Sequence, residues 1–144
     1  MKRLIYSLAF IVVAAASTPV FAQQSGGLRV EFQGPGGHSY GAYGRVSALH
    51  AAARTVILIQ EALPAGSYQI TNLTGGNSVN AIASDGLIEM KLTAANAAAY
   101  QALVTAVTKA AAAGAAAENK FRGVKTGDLT SGAPATVRSV VTPF

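Results

Sequence analysis

Cysteine is absent from the 144 residues, so no disulfide can staple the fold and stability must come from packing. Histidine is almost absent too. His38 and His50, with Glu31, Glu61, Asp85, Glu89, Glu118 and Asp128, are the whole stock of imidazole and carboxylate side chains. A two-zinc hydrolytic centre needs several such ligands with a carboxylate bridging the metals, and no His-x-Asp pair exists here. No metal and no cofactor is therefore expected. Ser39 beside His38 does not make a nucleophilic dyad, because sequence neighbours rarely present nucleophile and base to each other and no third group is indicated. The glycines between Gly34 and Gly44 lack both the G-x-G-x-x-G spacing and a Walker lysine, which excludes a phosphate-cradling loop.

Charge is scarce as well, at 12% of residues with a formal net of +5. Two of the cations, Lys2 and Arg3, precede an apolar run from Leu4 to Ala16, followed by Val20-Phe21-Ala22 with small residues at the usual cleavage positions. Residues 1–22 thus read as a signal peptide, with Gln23 as the mature start and a periplasmic or secreted location. The run is shorter than the ~20 residues a membrane-crossing helix needs. An uncleaved anchor is the other reading; after cleavage no membrane association is expected. The mature chain keeps nine cations against six acids. They form no run, and the one tight group, Lys120 to Lys125, reads as a solvated edge rather than a nucleic-acid surface.

A chain of this length supports one domain with a core. Leu28, Val30 and Phe32 alternate with Arg29, Glu31 and Gln33, the two-residue repeat of a strand with one buried face. Arg45 to Leu63 carries apolar residues at helical spacing and is stopped by Pro64-Ala65-Gly66. Ser67 to Leu73 reads as a second strand and Leu87 to Leu92 as a third. Asn96 offers a cap to an alanine-rich helix from Ala97 to Ala117, whose turns beyond Lys109 are expected to fray because alanine buries little area. Phe121 to Thr126 is read as the fourth strand, and residues 127–144 as an extended or disordered tail. The order strand, helix, strand, strand, helix, strand specifies an α+β, ferredoxin-like split β-α-β-β-α-β fold, a four-stranded antiparallel sheet with both helices on one face.

Two strings carry more than fold. Gly36-Gly37-His38-Ser39 follows the first strand, and Gly75-Gly76-Asn77-Ser78-Val79-Asn80 follows the second. Together they resemble the small dimerisation, or lid, domain of the zinc exopeptidase family that contains aminoacylase, carboxypeptidase G and peptidase T. Residues 27–126 are accordingly read as the lid, without a counterpart of the catalytic domain. The resemblance implies the same ferredoxin-like fold and pairing of two lids through a sheet edge and the neighbouring helix. It also implies that His38 stabilises an oxyanion in a partner's active site, the alternative being an exposed turn residue. Glycines before His38 let the backbone leave the strand in conformations that residues with a Cβ adopt poorly. Asn80 matches an asparagine near the substrate's carboxylate, though ordering its own turn is an equal reading. The family's arginine thirteen positions later, suited to a bidentate carboxylate clamp, is Thr93 here. Its aspartate two residues earlier is Lys91, and its proline after Asn-x-Ile is Ala83. These departures remove substrate recognition while leaving the scaffold.

The expected function is therefore an exported, non-catalytic interaction module, or the remnant of a truncated peptidase gene. The alternative is an accessory subunit lending His38 in trans to a separately encoded metallopeptidase or amidohydrolase. Because Ser67 to Leu73 lies at a sheet edge with no charge and no proline, a homodimer is expected through Tyr68, Ile70 and Thr71, with Ala48 and Ala52 giving a small-residue helix face. His50 reads as a helix-surface or interface residue.

Overall fold

The computed structural model describes residues 22–144; the segment read as a signal peptide lies outside them apart from Ala22. The main elements are β1 (Gln24–Gln33), α1 (Ala48–Ala62), β2 (Tyr68–Thr74), β3 (Asp85–Ala94), α2 (Ala97–Phe121) and β4 (Arg138–Pro143). The sheet is antiparallel with strand order β2-β3-β1-β4, the ferredoxin-like plan. Leu28, Val30 and Phe32 of β1 and Ile88, Met90 and Leu92 of β3 turn the same way and are fully or nearly fully buried. They meet Ala48, Ala51, Ala52 and Ile59 of α1 and Val107, Ala111 and Ala115 of α2 in one core. Burying each of the larger side chains contributes about 1.5–3 kcal/mol.

Capping sets the helix starts. Ser47 Oγ accepts the His50 N–H at 3.4 Å, so α1 begins at Ala48 rather than at Arg45, and Asn96 Oδ1 accepts the Ala99 N–H at 2.9 Å. The expected fraying beyond Lys109 does not occur: α2 is helical to Phe121. The alanines bury little area but allow α1 and α2 to approach closely. At Gly114 a Cβ would overlap Thr55 Oγ1 and stand 2.9 Å from Ala51 O.

The fourth strand also differs from expectation. Phe121 ends α2, the chain turns, and the strand is Arg138–Pro143, inside the segment read as a tail. Its period of two is carried by Val137, Ser139 and Val141, too short to stand out among Gly, Ser and Pro. Asn119 places it: the amide donates to Val137 O at 2.9 Å and accepts from Val137 N at 2.8 Å, clamping the strand's lead-in to the end of α2.

β2 is a sheet edge, as expected. Its register against β3 shifts between Ile70 and Asn72, leaving Thr71 in a bulge whose hydroxyl donates to Glu89 O at 3.1 Å. A bulge is itself a device that blunts an edge. The small-residue face is corrected: Ala48 and Ala52 are buried against the sheet and α2, so they cannot face a second subunit. Helical spacing alone does not say which stripe of an alanine-rich helix faces inward.

Candidate functional site

The two glycine strings converge. After β1, Gly36 and Gly37 take φ values of 61° and 139°, conformations open to glycine, and a Cβ at Gly37 would stand 2.6 Å from that of Ala42. The turn lets Gly37 and His38 form a two-residue antiparallel ribbon with Ile82 and Ala81. His38 is thereby set beside Asn80, with Asn80 Nδ2 3.3 Å from His38 Nε2, while Ser78 Oγ donates to Asn80 Oδ1. On the other side of the ring, Nδ1 accepts the Tyr40 N–H at 3.4 Å. A neutral imidazole that accepts at Nδ1 carries its proton on Nε2. The amide orientation that then satisfies every group turns the Asn80 oxygen to His38 and its nitrogen to Ser78. Asn80 thus bonds within its own loop, the second of the two readings given for it, and steadies the histidine.

Both side chains are exposed, and Tyr40, Tyr43 and Val79 around them are almost wholly in solvent. Arg45 braces the turn from beneath, donating to Gly36 O at 3.1 Å and to Ser131 Oγ at 3.0 Å. Behind the asparagine loop lies a groove of about 510 Å³ lined by Arg45, His50 and Arg122 as well as the loop itself.

Thr93, the position matching the family's arginine, stands at the other end of β3. It is tied to Ser67 O at 2.9 Å through its backbone N–H and lines a separate groove of about 560 Å³ with Gln23, Pro64 and Leu103. Ten strand residues separate the two ends of β3, a distance of about 30 Å, so one copy cannot bring Thr93 to a ligand held by His38 and Asn80. Lys91 is exposed opposite Gly27 and Gln69. Ala83 is buried and its carbonyl receives the Ala48 N–H at 3.0 Å, locking the asparagine loop to α1. Among the described residues no group of three or more His, Asp or Glu gathers as metal ligands, and no helix is long and apolar enough to cross a membrane.

Periodicity did not reveal the role of Glu118. Its carboxylate is 0% exposed in the seam between the helices. Oε1 accepts the Ser47 N–H at 3.2 Å and Arg122 Nε–H at 3.2 Å, Oε2 accepts Arg54 Nε–H at 3.1 Å, and His50 Nδ1 lies 3.7 Å away. Burial pushes this carboxyl's pKa up, but the bonds from Ser47, Arg54 and Arg122 and the nearby His50 outweigh it and hold the pKa below the ordinary 4.5. The available signal was a lone acid in an apolar helix with arginine four residues on. On the outer face of the sheet, Arg29 bonds Glu89 at 2.7 Å and Asn72 adds a bond at 3.3 Å; these bonds lower the Glu89 pKa.

The profile of the family described as the peptidase dimerisation domain matches residues 23–119, and the chain belongs to that family. No curated protein matches it. Among solved structures it is similar to an aminobenzoyl-glutamate utilization protein from Klebsiella pneumoniae, at 16% identity and a TM-score of 0.64, over 88% of this chain and 31% of that one. It is similar also to a tripeptidase from Staphylococcus aureus, at 15% and 0.61, over 86% and 30%. A third is a hydantoinase/carbamoylase family amidase from Burkholderia ambifaria, at 19% and 0.61, over 87% and 28%. The chain spans about a third of the length of these proteins, and at such identities the likeness is one of fold.

Proposed function

We propose that this chain is an exported dimerisation module with no hydrolytic activity of its own, pairing with a second copy through the β2 edge. The observation that carries the reading is the edge itself: Tyr68 to Thr74 has no charge and no proline, the bulge at Thr71 interrupts it at one position only, and unpaired strand groups are a template for another strand. A twofold axis across that edge lays β2 antiparallel to its copy and satisfies both edges at once. It also sets the Tyr68 end of one copy beside the Thr74 end of the other. The His38–Asn80 end of each subunit then lies on the same side as its partner's Thr93 groove. Tyr68, Ile70 and Thr71 are the interface residues in this reading; Ala48 and Ala52 drop out. Export rests on the leader pattern of residues 1–22. Sedimentation of the mature chain should give a concentration-dependent dimer, and a strict monomer at high micromolar concentration overturns the pairing.

A second reading has its own support. His38 is exposed and steadied by Asn80, and its Nε2–H, accepted by Asn80 in the free chain, can be exchanged to an oxyanion. That geometry suits a histidine lent in trans to a separately supplied peptidase or amidase domain. The readings part on whether His38→Ala lowers the activity of a co-supplied peptidase or amidase domain, while zinc content and amidase activity of the purified chain test the premise they share. The module alone should hold no stoichiometric zinc and hydrolyse nothing; one tight metal per chain, with hydrolysis lost to a chelator, overturns the non-catalytic reading.

A further inference from the structure

The sequence placed Phe121 and Arg122 on a solvated edge, but the fold gives them company from α1. Phe121 is 66% exposed and lies against two guanidinium groups: Arg54 is 5.0 Å and Arg122 4.9 Å from the ring centroid. Each arginine spends its Nε–H on the buried Glu118. Among the described residues their terminal nitrogens have no hydrogen-bond partner, and both side chains remain partly exposed. His50 extends the surface, and Arg122 and His50 continue it into the groove that Arg45 closes, a groove lined by no carboxylate. A large ring left in solvent beside cations that are already immobilised has the composition of an interface hot spot, where aromatic and arginine side chains dominate. Anchoring by Glu118 lowers the ordering cost that binding would otherwise meet.

We propose that His50, Arg54, Phe121 and Arg122 form a docking surface for an acidic polypeptide segment that also carries apolar side chains. Charge complementarity selects the occupant. Each free guanidinium edge matches a carboxylate in bidentate geometry, the ring receives an apolar side chain, and the sole acid within the cluster, Glu118, is buried and already engaged. A nucleic acid is disfavoured, because its backbone would need a longer cationic stripe and further stacking rings.

The test is fluorescence polarisation with a short labelled peptide of alternating glutamate and leucine, a glutamine–leucine peptide as the uncharged control, and a labelled single-stranded oligonucleotide as competitor class. The mature chain should bind the acidic peptide in a salt-sensitive manner. Phe121→Ser should weaken binding by about tenfold. Ala53→Glu, an exposed position on the stripe shared by His50 and Arg54, should weaken it without touching an existing contact, and Lys109→Gln elsewhere on α2 should leave it unchanged. Retained circular dichroism establishes that the variants are folded. No binding, equal binding of the uncharged peptide, tighter binding of the oligonucleotide, or indifference to both Phe121→Ser and Ala53→Glu would each overturn the proposal.

Discussion

The seam between α1 and α2 and the end bearing His38 and Asn80 spend polar side chains in opposite ways. In the seam one carboxylate, fully enclosed, is held by a backbone N–H and two guanidinium groups. At the end, an imidazole and an amide share one contact in open solvent. A buried carboxylate with partners is costly to remove, because the enclosed Ser47 N–H is then left without an acceptor. An exposed pair is cheap to break, because water replaces the partner. The seam therefore holds the fold, and the end is free to be shaped by what it contacts.

The largest effect should come from the seam. Glu118→Ala leaves the buried Ser47 N–H without an acceptor and releases the part-exposed Arg54 and Arg122 to water, and should cost about 1–3 kcal/mol of unfolding free energy, read from denaturant midpoints. The same group sets an acid limit. Its folded pKa lies below 4.5, so its contribution is fully present above the unfolded value and is lost as pH falls through the folded one. Thermal midpoints of the wild type should fall in that acid range. Glu118→Gln should start lower and show a flatter acid limb. Equal slopes for the two proteins would remove Glu118 as the cause.

Gly114→Ala sharpens the comparison within the seam. Helix propensity alone favours alanine by about 1 kcal/mol, yet the added methyl would overlap Thr55 Oγ1 and crowd Ala51 O. Overpacking of a closed contact costs about 1–3 kcal/mol, so a net loss is expected in chemical denaturation. A gain in stability would mean the helices can separate without penalty.

Legibility in the sequence followed the same division. β1 and β3 were readable because alternation is long and one face is fully buried, as Leu28, Val30 and Phe32 against Ile88, Met90 and Leu92 demonstrate. The motif residues were readable because glycine, histidine and asparagine are unusual where they stand, although their meeting at 3.3 Å was not, since a ribbon of two residues per strand leaves no period. β4 was missed because Arg138–Pro143 is fixed by the Asn119 amide and by core contacts of Val137 and Val141, which are long-range. The continuity of α2 was missed for the same reason. Propensity and area do not register a glutamate that also draws Ser47 and Arg54 from the other helix.

The edge should respond at an intermediate level. Thr71→Pro removes a donor and the hydroxyl bond to Glu89 O on a strand whose other side is open, so association should weaken while the core stays folded. Ile70→Lys should weaken the dimer as well. Ile70 also packs against the core, so its unfolding midpoint must be measured beside its sedimentation behaviour. A dimer indifferent to both changes would place the interface elsewhere.

The smallest effect on stability should come from the end that carries the family's motifs. His38→Ala and Asn80→Ala each delete a solvent-exposed contact, and substitutions of this kind fall within about ±0.5 kcal/mol. In each single variant the remaining partner regains water, so the double variant should cost no more than the sum of the two. Association should also be unchanged, because neither residue lies on β2. A destabilisation of several kcal/mol in either single variant would make the His38–Asn80 contact a structural clasp for the Gly36–Ala42 and Gly75–Ile82 turns. It would remove the ground for reading that end as a surface kept open for a partner.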